Sequence, residues 1–328
     1  MKPTDKKKKA PAPETTIPAG DILECGALLR KNHEKELHDR MDRGDAQLSI
    51  FDLVESGQQP FMSQAMIEKD TVFLPNAAKA RSALIFKSAE RAISIGKAGG
   101  NTEYGVLKIK HKDVLYAVLA IWSSHGYPCT TIKGATTRYG VIRTTRYRIL
   151  SLMHPDVNPG KSNYQALADT LHELKSIPVE VQNTRTKDVD AVFTLFAKYD
   201  FKKTGEGDEE IVEILLNETL TERYYRKMDI KLLWFNVYSS LKTDLAKILY
   251  PLLDRYLTTS QTGTYHKLVK DLCEENGLAV YRFNAKYREK WKGSIEELNG
   301  IHLTNGKKLS LTLTENRVKA LILEAKAG

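Results

Sequence analysis

Residues 281–313 read YRFNAKYREKWKGSIEELNGIHLTNGKKLSLTL, and this stretch decides the predicted fold. Its first half places Phe283, Tyr287, Trp291, Ile295 and Leu298 at helical spacing, which predicts a helix over residues 281–298 with one apolar, largely aromatic face turned to the core. Its second half alternates apolar and polar residues around the Asn-Gly pair at positions 305 and 306, a strong hairpin signal. A helix followed by such a hairpin, or wing, is typical of the end of a winged helix.

The segments before this stretch complete the unit. Apolar residues recur at helical spacing through residues 241–256, and Pro251 inside them is expected to kink or split that helix. Residues 268–272 predict a second, short helix. The order helix, helix, helix, hairpin is that of a winged helix, and we expect residues 314–328 (TENRVKALILEAKAG) to form an extra helix after it.

The same order recurs upstream. Residues 114–122, 147–153 and 167–174 predict helices, and the β runs VEVQNT, AVFTLFAKYDF and EIVEILLN follow them. ARSALIF (residues 80–86) and GVLKIK (residues 105–110) are predicted strands. The predicted fold class is therefore α+β, with two tandem winged-helix domains over residues 71–229 and 230–328. A largely disordered N-terminal arm, residues 1–70, precedes them, because its polar composition leaves little to bury.

Composition excludes several classes of protein. The 328 residues are 41% hydrophobic and 28% charged, as in globular proteins, and no apolar run approaches the roughly 20 residues that a membrane span needs. The lysines near the start are not followed by the apolar segment of a signal peptide. Cys25, Cys129 and Cys273 are spaced neither as a disulfide framework nor as zinc ligands. We expect a cytoplasmic protein without membrane contact.

Basic side chains form two clusters. The net charge is +9, and residues 126–155 carry five basic side chains and no acidic one. Residues 281–292 interleave bases with aromatic side chains, and the helix face opposite the aromatics carries Ala285 between cations, which suits a DNA major groove better than a merely solvated surface. The candidate DNA-binding residues are Arg138, Arg143, Arg146, Arg148, Lys161, Ser162, Arg282, Lys286, Arg288, Lys290, Lys292, Lys307 and Lys308, the last two at the predicted wing tip.

No pattern predicts catalysis. Gly160-Lys161-Ser162 precedes a helix, as in a phosphate-binding loop, but Pro155 stands where that motif needs glycine. The eight histidines include no HxH or HExxH pair, so no metal site is predicted. We therefore expect no catalytic residue, no cofactor and no metal.

The most specific short motif is Gln47-Leu48-Ser49-Ile50-Phe51. The bacterial sliding clamp binds peptides of the form QL[SD]LF, whose glutamine hydrogen-bonds at the edge of a cleft that the two final apolar residues fill. Ile50 replaces the usual leucine at the same volume. The alternative is a short amphipathic turn that packs on its own domain. Placement in a polar arm favours the clamp-binding interpretation.

This motif, Pro75-Asn76 and ARSALIF follow one another in the order and spacing of a known family. The chain resembles the TrfA family of broad-host-range plasmid replication initiators, over about residues 47–313. The clamp peptide and ARSALIF are the specific parts of the resemblance, and the helical parts match mainly in pattern. The strongly basic stretch over residues 130–148 and the residues after 313 depart from the family pattern.

The resemblance implies a non-enzymatic bacterial protein that binds repeats of double-stranded origin DNA, called iterons, as a monomer through both winged helices. It also implies opening of an adjacent A·T-rich region, whose single strands are a further candidate ligand. The implied protein partners are the host replicative helicase, the host initiator, the sliding clamp and a second copy in a copy-limiting dimer.

Two other functions are the alternatives to this one. A transcriptional repressor with two winged helices would use the same modules, but it has no use for a clamp peptide. A relaxase or primase would need metal-dependent chemistry, for which the sequence shows no ligand pair.

Overall fold

The structure is a computed structural model that describes residues 58–63, 73–76, 84–87, 91–95, 106–131, 137–183, 189–203, 210–225, 230–276 and 278–328. The clamp peptide, residues 47–51, and most of the predicted arm lie outside these ranges. The fold is a mixture of helices and antiparallel sheets, which agrees with the predicted α+β class.

The helices are α1 (Ile109–Ser124), α2 (Arg146–Met153), α3 (Lys161–Ser176), α4 (Glu218–Tyr225), α5 (Phe235–Ser240), α6 (Asp244–Thr259), α7 (Val269–Glu275) and α8 (Asn284–Leu298). The strands are β1 (Gln58–Ser63), β2 (Leu84–Lys87), β3 (Arg91–Ile95), β4 (Cys129–Thr131), β5 (Arg138–Thr145), β6 (Val179–Asn183), β7 (Val189–Phe193), β8 (Phe196–Lys203), β9 (Glu210–Leu216), β10 (Ile230–Trp234), β11 (Thr264–Leu268), β12 (Leu309–Glu315) and β13 (Leu321–Ala327).

The first unit packs α1, α2 and α3 against a sheet with strand order β4-β5-β9-β8. The β8–β9 hairpin closes it after the three helices. Thr145 ends β5 and caps α2, because its side chain accepts a hydrogen bond from the Arg148 backbone N–H at 3.1 Å. The core is formed by fully buried side chains such as Trp122, Ile142 and Leu171.

The second unit has the order α6, β11, α7, α8 and then the β12–β13 hairpin, in a sheet ordered β11-β13-β12. Tyr287, Trp291 and Leu298 bury one face of α8 against the rest of the unit. Pro251 lies inside α6, which continues through it as one helix. The helix is therefore not split at this proline.

Two further sheets lie beside these units. One pairs β1 with β10, and the other has strand order β2-β3-β6-β7. Strand β2 confirms the second half of the predicted ARSALIF strand. The predicted strand AVFTLFAKYDF is two strands, since β7 and β8 belong to different sheets.

Three further sequence predictions are wrong. GVLKIK contributes one bridge, between Leu74 and Lys108, and then enters α1 instead of forming a strand. Residues 321–327 of the C-terminal segment form strand β13, not a helix, because they pair with β12 along their whole length and with β11 at residues 322–326. Cys129 is disulfide-bonded, which the cysteine spacing did not predict, whereas Cys273 is free and buried.

A polar junction joins the two units. Asp113 of α1 accepts a hydrogen bond from the Tyr238 hydroxyl of α5 at 2.8 Å, and its other oxygen lies 2.7 Å from Lys247 Nζ of α6. Lys112 is fully buried and donates to the Lys247 carbonyl at 3.1 Å. Because unpaired charges are costly in such a poorly hydrated place, these partners hold the units in one relative orientation.

Asn76 adds a second link at the junction. Its backbone N–H donates to Asp244 Oδ2 at 2.6 Å, and its side-chain amide donates to Oδ1 at 3.0 Å. Its own side-chain oxygen accepts from the backbone N–H of Lys110, at the start of α1, at 2.9 Å. Asn76 therefore connects the first turns of α1 and α6.

Candidate nucleic-acid interface

Helix α8 presents a basic face to solvent, as the sequence predicts. Arg282, Ala285 and Lys292 are exposed, and the side chain of Lys286 is 44% exposed. The prediction that all the aromatics of this segment are core is wrong for Phe283, which is 64% exposed. The reason is its position at the N-cap of α8, before the first buried turn.

The cations on α8 form exposed ion pairs with neighbouring acids. Lys286 Nζ lies 2.9 Å from Glu289, Lys290 Nζ lies 3.6 Å from the same carboxylate, and Lys292 Nζ lies 3.9 Å from Glu296. Exposed pairs of this kind contribute little to stability. The hydrogen bond from Lys286 lowers the pKa of Glu289. These lysines can exchange a carboxylate for a phosphate at small cost.

Arg288 holds α8 against the hairpin. One guanidinium nitrogen donates to the Leu313 carbonyl at 3.0 Å, and the other lies 3.2 Å from Glu315 Oε1. Asn284 donates to the same carboxylate at 3.3 Å and to the Lys319 carbonyl at 2.8 Å. The hydrogen bonds from Arg288 and Asn284 lower the pKa of Glu315. Arg288 therefore positions the interface and is not freely available to DNA.

The wing tip is not where the sequence predicts it. Asn305-Gly306 forms a tight turn that returns to β12, and Lys308 exchanges backbone hydrogen bonds of 3.0 Å with Gly328 at the chain end. Lys307 and Lys308 therefore lie at the base of the β12–β13 hairpin. At about 3.3 Å per residue, this base is roughly 25 Å from the turn at the other end.

The true tip of the hairpin joins β12 to β13 through residues 316–320. Asn316 Oδ1 accepts from the backbone N–H groups of Val318 and Ala320 at 3.1 and 2.8 Å, which closes the turn. Arg317, Val318 and Lys319 are exposed there. Sequence reasoning missed these residues, although Asn316 between two alternating runs was a turn signal that could have found them.

The basic stretch of the first unit is largely neutralised by acids from distant segments. Arg143 Nε lies 2.7 Å from Glu213, and Arg138 Nη1 lies 3.4 Å from Glu222. Arg146 pairs with Glu210, and its guanidinium also lies 5.4 Å from the Tyr164 ring and 5.2 Å from the Phe201 ring. The sequence predicts one free basic patch because no acidic residue lies near these arginines along the chain.

Fewer of the predicted DNA-binding residues of the first unit are available for contact with DNA than the sequence suggests. Arg148 is exposed and takes no part in the ion pairs formed among the described residues. Lys161 and Ser162 are exposed at the start of α3, where Gly160 is the N-cap. The free backbone N–H groups of a helix start favour anions.

The described residues show neither a metal site nor a membrane span. No group of three or more His, Cys, Asp or Glu side chains in that part of the chain is arranged to hold a metal ion. Among the helices that the structure describes, none is long and apolar enough to cross a bilayer.

The fold is similar to that of two solved structures. The crystal structure of selenomethionine derivatives of domains 2 and 3 of RctB matches with a TM-score of 0.53 at 10% identity, over 80% of this chain and 98% of that one. A second crystal structure of RctB domains 2–3 matches with a TM-score of 0.47 at 11% identity, over 79% and 95% of the two chains. No protein-family model matches this chain, and no curated protein matches it in sequence. At this identity the likeness to RctB shows a shared fold.

Proposed function

We propose that this protein is a non-enzymatic replication initiator that binds iteron repeats of origin DNA through two winged helices, one in each unit. The observation that carries the proposal is the surface formed by the start of α8 and the β12–β13 turn. Arg288 and Glu315 hold these two elements together at 3.2 Å; exposed Arg282 precedes α8, and exposed Arg317 and Lys319 lie in the turn. A basic helix face beside a basic hairpin turn matches the shape and charge of duplex DNA.

Two likenesses support the same role. The resemblance to the TrfA family rests on the clamp peptide and ARSALIF, and the fold is similar to domains of the RctB replication initiator. The order of helices followed by a hairpin in both units supports two winged helices. The junction at Asp113 and Lys247 favours a fixed spacing between the DNA-binding surfaces of the two units on one repeat.

The remaining parts of the proposal rest on the family resemblance. They are the opening of an A·T-rich region, binding of its single strands, recruitment of the host helicase and host initiator, and a copy-limiting dimer. Residues 47–51 would bind the sliding clamp, and the protein would work in the bacterial cytoplasm without cofactor or metal.

Selection of binding sites from a random duplex pool, followed by footprinting on the plasmid that carries the gene, tests DNA recognition. We expect one repeated sequence, located near the origin. With about five phosphates contacted, the logarithm of the binding constant should fall against the logarithm of salt concentration with a slope of about −4.5. A slope near zero, or selection of no sequence, contradicts the proposal.

A pair of variants tests the location of the interface. Arg282→Ala should weaken binding to the selected duplex by about 1–3 kcal/mol if the side chain reaches a base edge. Lys307→Ala removes an equal charge at the base of the same hairpin and is the matched control. An equal loss in both variants would mean that charge alone, and not the α8 surface, determines binding.

The clamp peptide has a separate test, which also distinguishes an initiator from a repressor. Replacing Leu48 and Phe51 with alanine should abolish binding to purified sliding clamp, measured by calorimetry, because both residues are apolar anchors. Binding to the selected duplex should be unchanged. Clamp binding by wild type that survives in the double variant would show that the motif match is accidental.

A further inference from the structure

Phe283 stands at the start of α8 with its ring in solvent. Its side chain is 64% exposed, more than any other aromatic side chain in the described part of the protein. It is the N-cap residue of α8 and makes no capping hydrogen bond. Ser, Thr, Asp or Asn would cap the helix better at this position. Neither helix capping nor core packing therefore explains a phenylalanine here.

The ring lies in basic surroundings. The Arg282 guanidinium is 5.3 Å from its centre. The next residue, Asn284, donates to the Lys319 carbonyl in the β12–β13 turn at 2.8 Å, so Phe283 immediately precedes the residue at which the start of α8 meets this turn. Arg317 and Lys319 are exposed in the turn. An exposed ring with one cation against it, and two more in the adjoining turn, fits a ligand that is anionic overall and offers an apolar group between its charges.

The backbone on both sides of Phe283 is anchored. The Tyr281 N–H donates to the Tyr287 hydroxyl at 2.9 Å, and the two rings meet edge to face at 5.1 Å. On the other side, the Lys286 N–H donates to the Phe283 carbonyl at 3.0 Å. The ring is thus presented from a fixed position, which reduces the ordering cost of binding.

We propose that Phe283 contacts the C5-methyl group of one thymine in the DNA major groove and so selects an A·T pair at that position. The inference rests on the proposed function, in which the first turn of α8 faces base edges. Thymine carries an apolar group on its major-groove edge, between two phosphate backbones that the surrounding cations bind. Phe283 thereby adds a sequence preference that phosphate contacts do not supply.

The test uses the full chain and the duplex that it selects from a random pool. Each thymine is replaced singly by uracil, which removes only the methyl group. We expect one position at which this replacement weakens binding about fourfold, the effect of exposing one buried methyl group. In Phe283→Ala, the difference in affinity between the thymine and uracil duplexes at that position should disappear, while the melting temperature of the protein stays the same.

Two further variants sharpen the result. Phe283→Leu keeps an apolar side chain and should retain most of the thymine preference. Tyr147→Ala removes another exposed aromatic, 54% exposed in the first unit, and should leave the thymine-to-uracil ratio at that position unchanged. A Phe283→Ala variant that keeps the full ratio, or that binds all duplexes as wild type does, overturns the inference. Failure of the wild-type chain to select any sequence refutes the proposed function instead.

Discussion

Replacing Asp113 by alanine should destabilise the protein at the junction of its two units. The change removes the acceptor of the Tyr238 hydrogen bond and the partner of Lys247, which lie 2.8 and 2.7 Å from its oxygens. Loss of one partner of a buried ion pair costs about 3–5 kcal/mol, because the other charge stays buried. The two side chains are 12% and 11% exposed, so some water reaches them, and we expect about 3 kcal/mol.

Urea denaturation followed by circular dichroism and tryptophan fluorescence measures this loss, since Trp122 lies in the first unit and Trp291 in the second. Combining Asp113→Ala with Lys247→Met removes both charges and should recover about half of the loss. Asp200→Ala is the matched control, because it breaks an ion pair with Lys198 that is exposed on β8, and it should leave the free energy of unfolding unchanged within error. A loss below about 1 kcal/mol for Asp113→Ala would refute the argument that a desolvated ion pair holds the junction.

Three further predictions concern stability and DNA binding. Burial raises the pKa of Glu173, but hydrogen bonds from neighbouring side chains bring this pKa down to about 2. The ionised carboxylate therefore stabilises the fold at pH values above 4.5, the ordinary pKa, and this contribution is lost as the pH falls from 4.5 towards 2. Glu173→Gln should flatten the dependence of stability on pH in that window, and an unchanged dependence in acid titrations contradicts the assignment. In Gly140→Ala the new Cβ would lie 2.8 Å from a buried tryptophan ring, so calorimetry should show a loss of about 1–3 kcal/mol, whereas Gly293→Ala, with nothing within 4 Å, should not lower stability. Arg148→Ala should weaken binding to all duplexes and reduce the salt slope by about one, while Arg146→Ala should change binding little, because that side chain is 30% exposed, paired with Glu210 and packed against two aromatic rings; equal effects in fluorescence anisotropy titrations would mean that the pairing does not restrict Arg146.

Helices of this protein could be predicted from local pattern. The apolar spacing of residues 283–298 and the cap at Thr145 depend on residues within four positions of one another, so the sequence already contains the information. Phe283 is the exception in its segment. It continues the aromatic spacing by one step beyond the start of α8, where no neighbouring element covers it.

Strands were predicted less well, because a strand depends on a partner elsewhere in the chain. The apolar pattern of residues 321–327 is compatible with a helix or a strand. Their pairing with β12 and β11 makes them a strand. The Asn-Gly pair at 305 and 306 does form a turn, but the longer hairpin closes at Asn316. The predicted wing tip was therefore placed at the wrong end of β12.

The sequence by itself determined the basic character of the protein, the order of helices α1–α3 and α6–α8 and the aromatic face of α8, since these follow from composition and short-range periodicity. Only the tertiary structure decided which cations are available. Glu213 lies 70 residues from Arg143 and Glu222 lies 84 residues from Arg138, yet each pair meets within 3.4 Å. Coulomb interactions depend on distance in space and on desolvation, and neither quantity can be read from positions along the chain.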